Sequence, residues 1–228
     1  MKKLGLVLLC VLALVSFAFA GGGQDTGSGK PVKIAVSIPS ADHGWTGGIV
    51  WWANKTVKDI QAASPGKFEF RVVTADGPSA QVRNVEDLMV WGMNFLVILP
   101  HESAPLTPIV KEVQSKGVKV IVVDRGLTDT SFGYINLAGD NTAMGRLSGE
   151  WLAKQMKAQG LSTYVAMGGL PVTIDTERMT AFFTEMDKEP TLVNLLGKDK
   201  YEFADWSSQK VLTIMETFLQ KYPKIDAV

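Results

Sequence analysis

Short apolar runs and amphipathic stretches alternate along the chain from Pro31 onward. Lys33–Ile38 is an apolar run closed by Pro39 and predicts a buried strand. Residues 46–63 then carry Val50, Ala53, Val57 and Ile60 at helical spacing. A second strand is predicted over 68–74. A helix follows over 79–92, with Ser79 as N-cap and Val82, Val85 and Met89 on one face. Phe95–Leu99 predicts a third strand, ended by Pro100. Ile109, Val110 and Val113 mark a short helix that stops near Gly117, and Val118–Val123 is a fourth, strongly apolar strand. The scheme then repeats. Tyr134–Leu137 reads as a connecting strand. Residues 141–158 place Met144, Leu147, Trp151 and Leu152 on one helix face. Strands over 163–167 and 192–196 are followed by helices marked by Met179, Phe182, Phe183 and Met186, and by Val211, Met215 and Phe218.

Strands alternating with helices imply a parallel sheet covered on both faces. Two such series predict an α/β protein of two doubly wound parallel-sheet lobes joined by a hinge. The lobes are expected over 32–138 and 139–228, with Gly139 as a hinge residue. The second lobe is expected to be incomplete. It has few strands, and the apolar strand that begins at Ile225 is where the chain stops.

Residues 1–20 carry the pattern of an export leader: Lys2 and Lys3, an apolar run from Leu4 to Phe17, and Ala18-Phe19-Ala20 as a small-x-small cleavage signal. The run falls short of the about 20 apolar residues that span a bilayer. The expectation is an exported protein cleaved after Ala20. Cys10 lies inside the apolar run, so the mature chain has no cysteine and must rely on its core rather than on disulfides. Residues 21–31 open with Gly-Gly-Gly-Gln-Asp-Thr-Gly-Ser-Gly and read as a flexible linker. Cleavage leaves 21 basic against 23 acidic side chains, net −2. Such a balance gives no general attraction to nucleic acid or anionic membrane. A monomer is expected.

In open parallel sheets, ligands bind beyond the C-terminal ends of the strands. The residues there are Asp42, His43, Trp45 and Thr46 after the first strand, Asp76 after the second, His101 and Glu102 after the third, and Asp124 and Arg125 after the fourth. In the second half, 168–178 and 201–206 hold the equivalent places. Carboxylates, a guanidinium and indole planes suit a polyhydroxylated ligand. Asp accepts from hydroxyls, Arg donates through a rigid fork, and Trp stacks on an apolar C–H face. Asp124-Arg125 could equally be a surface ion pair worth little, but its place after a buried strand favours the site. Large aromatics usually belong to the core; Gly44 before Trp45 places that indole on a loop. Arg178 and Trp206 stay open on residues alone, and His43 can be merely solvated. Asp42, Asp76, His101 and Glu102 are expected to stand behind the direct contacts.

Enzyme chemistry finds little to work with. Pro105 occupies the position where a zinc motif opened by His101-Glu102 would need its second His. There is no Gly-x-Ser-x-Gly elbow, and no metal or cofactor is expected. Asp42 and Asp124 as a glycosidase pair remain the alternative.

At this point a resemblance becomes specific. Asp124-Arg125 directly follows Val118–Val123, Gly139-Asp140-Asn141 opens the next helix, and Val85-Glu86-Asp87-Leu88 leads through Trp91-Gly92 to the strand ending at Pro100. Together these resemble the ribose-binding protein family of periplasmic sugar receptors, from about Val32 to Val228. The resemblance implies that Asp124 and Arg125 grip sugar hydroxyls. It puts Trp45 where the family has a stacking Phe, His43 at a ligand-binding Asn, and Thr46 where a second Phe is common. Arg178 and Trp206 match an Arg and an aromatic that face the sugar from the second lobe. It also implies three further ligand positions past Val228, an Asn, an Asp and a Gln, so the chain is expected to be truncated. The implied activity is capture of a monosaccharide or related polyol by hinge closure, without catalysis, and delivery to an ABC-type permease. A chemotaxis or sensor-kinase partner is the second reading. The leader and the lack of a basic helix-turn-helix argue against a transcriptional regulator, and an inactive fragment is the remaining possibility.

Overall fold

The computed structural model describes residues 29–41 and 43–228. The predicted leader, all but the last three linker positions, and Asp42 lie outside the described residues. Val32–Val228 forms one unit. Its first part is built on β1 (Val32–Pro39), β2 (Phe68–Ala75), β3 (Phe95–Ile98), β4 (Lys119–Val123) and β5 (Ile135–Leu137). These form one parallel sheet in the order β2-β1-β3-β4-β5. Val36 pairs in register with Val72 on one side and Val97 on the other, and Val97 with Ile121. The chain leaves β1 toward β2 but leaves β3 toward β4, so the strand order reverses between β1 and β3. Connections leaving in opposite directions open a crevice beyond those strand ends.

Helices α1 (Gly44–Ala63), α2 (Pro78–Trp91) and α3 (Ser103–Ser115) make the crossovers. The core lies under α2 and α3, where Val85, Leu88, Leu106, Val110 and Val113 pack on Ala35, Leu96, Ile98, Val120 and Val122. Strand alternation explains the choice, since Leu96 and Ile98 point into this layer while Phe95 and Val97 point to the other face. That other face is thinly covered. In α1 only Thr46 is buried, and a cavity of about 630 Å³ separates the helix from Ile34, Val36, Phe70 and Val97.

The second part contains α4 (Asn141–Gln159), β6 (Thr163–Tyr164), β7 (Met167–Gly168), α5 (Thr173–Met186), β8 (Val193–Asn194), β9 (Glu202–Phe203) and α6 (Ser208–Lys221). Its strands pair in two short parallel ladders, β6 with β8 and β7 with β9.

Four expectations need correction. The helix predicted from Ser79 starts at Pro78 with Gly77 as its N-cap, because proline at the first helical position is pre-set for the turn. Tyr134–Leu137 is more than a connection: β5 adds to the sheet edge beside β4, and Asp124 N–H donates to Leu137 O at 2.8 Å. The strand expected over 163–167 is split by a change of partners. Val165 N–H donates to Ala227 O and Glu202 N–H to Ala166 O, so β9 is a strand the apolar pattern missed. The run at Ile225 contributes a single parallel bridge, Tyr164 to Ala227.

The buried face of α4 also differs from the apolar stripe. Met144, Leu147 and Trp151 are exposed, while Asn141, Gly145, Gly149, Ala153 and Met156 are buried. Those small residues let α5 approach closely. A Cβ on Gly145 would lie 2.0 Å from Arg178 O, and one on Gly149 2.7 Å from Phe182 O. No side chain fits there, so glycine sets the distance between the two helices.

Candidate functional site

A cleft of about 740 Å³ opens where the ends of β1 and β4 face the starts of α4 and α5. His43, Trp45, Asp124, Arg125, Arg178 and Trp206 all line it. Thr46 does not. It is buried beneath the start of α1, where its hydroxyl donates to His43 O at 3.1 Å and accepts from His43 N–H at 3.3 Å. A small hydroxyl residue at this position secures the helix entry.

The first-lobe wall is held by main-chain geometry. Asp124 takes a left-handed backbone, φ 62°, directly after β4. Such a conformation costs a non-glycine residue about 1 kcal/mol or more and concentrates at functional sites. It turns the Asp124 carboxylate toward Trp45, whose Nε1 donates to Oδ2 at 3.3 Å. Arg125 is 3% exposed, and its guanidinium donates to His101 O at 2.6 Å and Pro100 O at 3.3 Å. That turn is itself fixed by buried Gln81, which accepts from His101 N–H at 2.6 Å and donates to Leu99 O at 2.8 Å. His101 therefore meets Arg125 through its carbonyl. Asp76 instead accepts from the Ser40 hydroxyl, and Glu102 precedes α3; neither lines the cleft.

The opposite wall comes from the second lobe. Arg178 Nε donates to Asn141 Oδ1 at 2.9 Å, and Asn141 is buried at the start of α4 after Asp140, which accepts from Ala143 N–H. Trp206 follows Asp205, both left-handed at φ 57° and 53°. Sequence reasoning missed Asn141, Met144 and Ile174 as lining residues. Asn141 carried a signal, since an amide just after an N-cap can reach a neighbouring side chain; Met144 and Ile174 carried none beyond their helix periodicity.

Two further features cross or brace the cleft. Thr173 joins the two parts of the unit: its hydroxyl accepts from Gly126 N–H at 2.8 Å, and its own N–H donates to the Ser103 hydroxyl at 3.2 Å. Asp175, 3% exposed, accepts from Gly169 N–H at 2.6 Å. Burial pushes its carboxyl above the usual range, opposed by the Gly169 N–H, by Tyr201 and by the charge of Arg178. Burial likewise pushes the Tyr201 hydroxyl up to about 12.

Among the described residues, no group of three or more His, Cys, Asp or Glu side chains is placed to hold a metal ion, and no helix is long and apolar enough to cross a membrane. Asp124 is the only carboxylate among the described residues lining the cleft.

Residues 34–228 match the model of the periplasmic binding protein domain family. A D-ribose/D-allose-binding protein of Pseudomonas aeruginosa is 28% identical over 155 residues, 66% of this chain and 47% of that protein. The ribose import binding protein of Bacillus subtilis is 30% identical over 207 residues, 90% of this chain and 63% of the relative. Among solved structures, the fructose-binding periplasmic domain of a hybrid two-component system superimposes with a TM-score of 0.72 at 29% identity, covering 86% of this chain and 62% of that one. The chain thus spans about half to two thirds of the length of these relatives.

Proposed function

The chain belongs to the periplasmic binding protein domain family, whose members bind rather than convert their ligands, and from that premise we propose that it captures a monosaccharide or related polyol in the cleft between its lobes. The observation that carries this reading is the convergence of Trp45, Asp124 and Arg125 from one lobe with Arg178 and Trp206 from the other around one void. A sugar ring offers hydroxyls to Asp124, Arg125 and Arg178 and apolar C–H faces to the two indoles. Each hydrogen bond to a charged group contributes about 1.5–3 kcal/mol net. A few of these with stacking reach the about −8 kcal/mol of micromolar binding after the cost of ordering the ligand.

The mechanism follows from the two walls. A ligand held by one lobe gains the contacts of the second only when the lobes meet, so it shifts the population toward the closed form by its differential affinity. In this structure the Thr173 bridges to Gly126 and Ser103 tie the two walls together. On this reading the protein is exported, its leader is removed after Ala20, and an ABC-type permease receives the closed, loaded state. The likeness to the ribose import binding protein of Bacillus subtilis supports that destination.

A second reading, a sensory receptor, draws support from the likeness to a periplasmic domain of a hybrid two-component system. Both readings share the cleft and its ligand. A thermal-shift screen of pentoses, hexoses and polyols, followed by calorimetry on the best, tests the shared core: one sugar should raise the melting temperature and bind at micromolar or lower Kd. Absence of any shift across the panel would overturn it. Co-purification with permease subunits rather than with a histidine kinase separates the two destinations.

A further inference from the structure

Trp206 faces the cleft from a conformation that its own residue type disfavours. Both it and Asp205 are left-handed, so neighbours must hold the indole in place. One neighbour in contact is Gly169. A Cβ built there would fall 2.1 Å from the Trp206 ring, so the indole lies flat on the glycine backbone. Gly169 is in turn tied on both sides. Its carbonyl accepts from Asp205 N–H at 2.8 Å, and its N–H donates to Asp175 Oδ1 at 2.6 Å. Asp175 lies in the first turn of α5, three residues before Arg178.

We infer that Asp175 is a positioning residue, whose buried carboxyl fixes Gly169 and through it the plane of Trp206, so that it tunes which sugar face the second lobe accepts. The inference rests on the reading of the cleft as a sugar site, but the positioning part stands on geometry alone. Asp175 does not line the cleft. What the Gly169 N–H requires is an oxygen acceptor, not a negative charge. Burial disfavours the charged carboxylate at this place. Asp175→Asn keeps an acceptor oxygen and removes the buried charge, whereas Asp175→Ala leaves the Gly169 N–H without its partner.

The test uses the full chain labelled with fluorotryptophan, with the Trp206 resonance assigned by Trp206→Phe. Asp175→Ala should shift or broaden the Trp206 line and leave the Trp45 line in place; Asp175→Asn should restore it. Gly169→Ala puts a Cβ against the indole and gives the reference for a displaced Trp206 line; Asp175→Ser, whose shorter side chain withdraws the acceptor, tests the link if Asp175→Ala does not fold. With the sugar that binds wild type best, Asp175→Ala should weaken binding about tenfold and change the ranking among epimers. In a Trp206→Phe background the same substitution should have little further effect. An unmoved Trp206 line in folded Asp175→Ala, or in Asp175→Ser where that variant is needed, overturns the inference, as does equal loss in Asp175→Ala and Asp175→Asn. If wild type binds no sugar, the cleft reading fails while the fluorine spectra still decide the positioning role.

Discussion

The two parts of this unit are held together by different means. In the first, five strands and two helices bury a continuous aliphatic layer, with Ala35, Val85, Leu96, Ile98, Leu106, Val110 and Val122 all fully buried. In the second, the ladders are two residues long and the core is Met156, Met186, Tyr164 and Phe183. What compensates there is close backbone approach at Gly145 and Gly149, and buried polar ties at Asn141, Asp175 and Asp226. An aliphatic layer tolerates volume-conserving exchange. A glycine contact or a buried acceptor tolerates very little. The lobe that rests on such contacts also presents the residues whose placement differs most from a periodic reading.

Substitutions can break or sharpen this contrast. The largest effect is expected from Leu96→Ala, which opens a cavity in the aliphatic layer and should cost about 2–5 kcal/mol. Hydrogen exchange should then rise across β1–β4 and far less in α4 and α5. Gly145→Ala comes next: overpacking against Arg178 O should cost about 1–3 kcal/mol, raise exchange in α4 and α5, and displace Arg178 so that ligand affinity also falls. Comparable exchange in both lobes for either variant would erase the distinction.

A pH effect follows at smaller size. Asp226 accepts from the N–H groups of Ser162 and Thr163 and from the Thr163 hydroxyl, and pairs with Lys224 at 2.9 Å. The Ser162 N–H, Lys224 and the Thr163 N–H hold its carboxyl well below the usual range. A carboxyl depressed in the folded state stabilises fully above its unfolded pKa of about 3.9 and loses that contribution as pH falls below it. Second-lobe melting should therefore drop on acidification below about pH 4, and Asp226→Asn should flatten that dependence. Thr173→Val is expected to do least. It removes an acceptor worth about 0.5–1.5 kcal/mol and should weaken every ligand alike by a few-fold, without altering their ranking by calorimetry.

The same contrast explains what the sequence disclosed. The strands β1, β3 and β4 are short apolar runs cut by Pro39, Pro100 and Asp124-Arg125, so their ends, and the residues just past them, could be read directly. Trp45, Asp124 and Arg125 emerge from that rule, and the family resemblance pointed to Arg178 and Trp206. The exposed stripe of α4 misled because hydrophobic period cannot report a face built from glycine. Thr46, expected at the ligand, secures the start of α1 and does not line the cleft, a placement that spacing does not report. Gly169 and Asp175 were invisible as partners, since a backbone N–H meeting a carboxyl has no signature in spacing.

The central claim is that both walls of one cleft grip the same ligand. Titration calorimetry with the best-binding sugar on Arg125→Ala, Arg178→Ala and the double variant tests it most directly. Each single substitution should weaken binding by about tenfold or more, and the double variant should depart from additivity, because the two guanidinium groups act on one ring. Wild-type affinity in either single variant would contradict it.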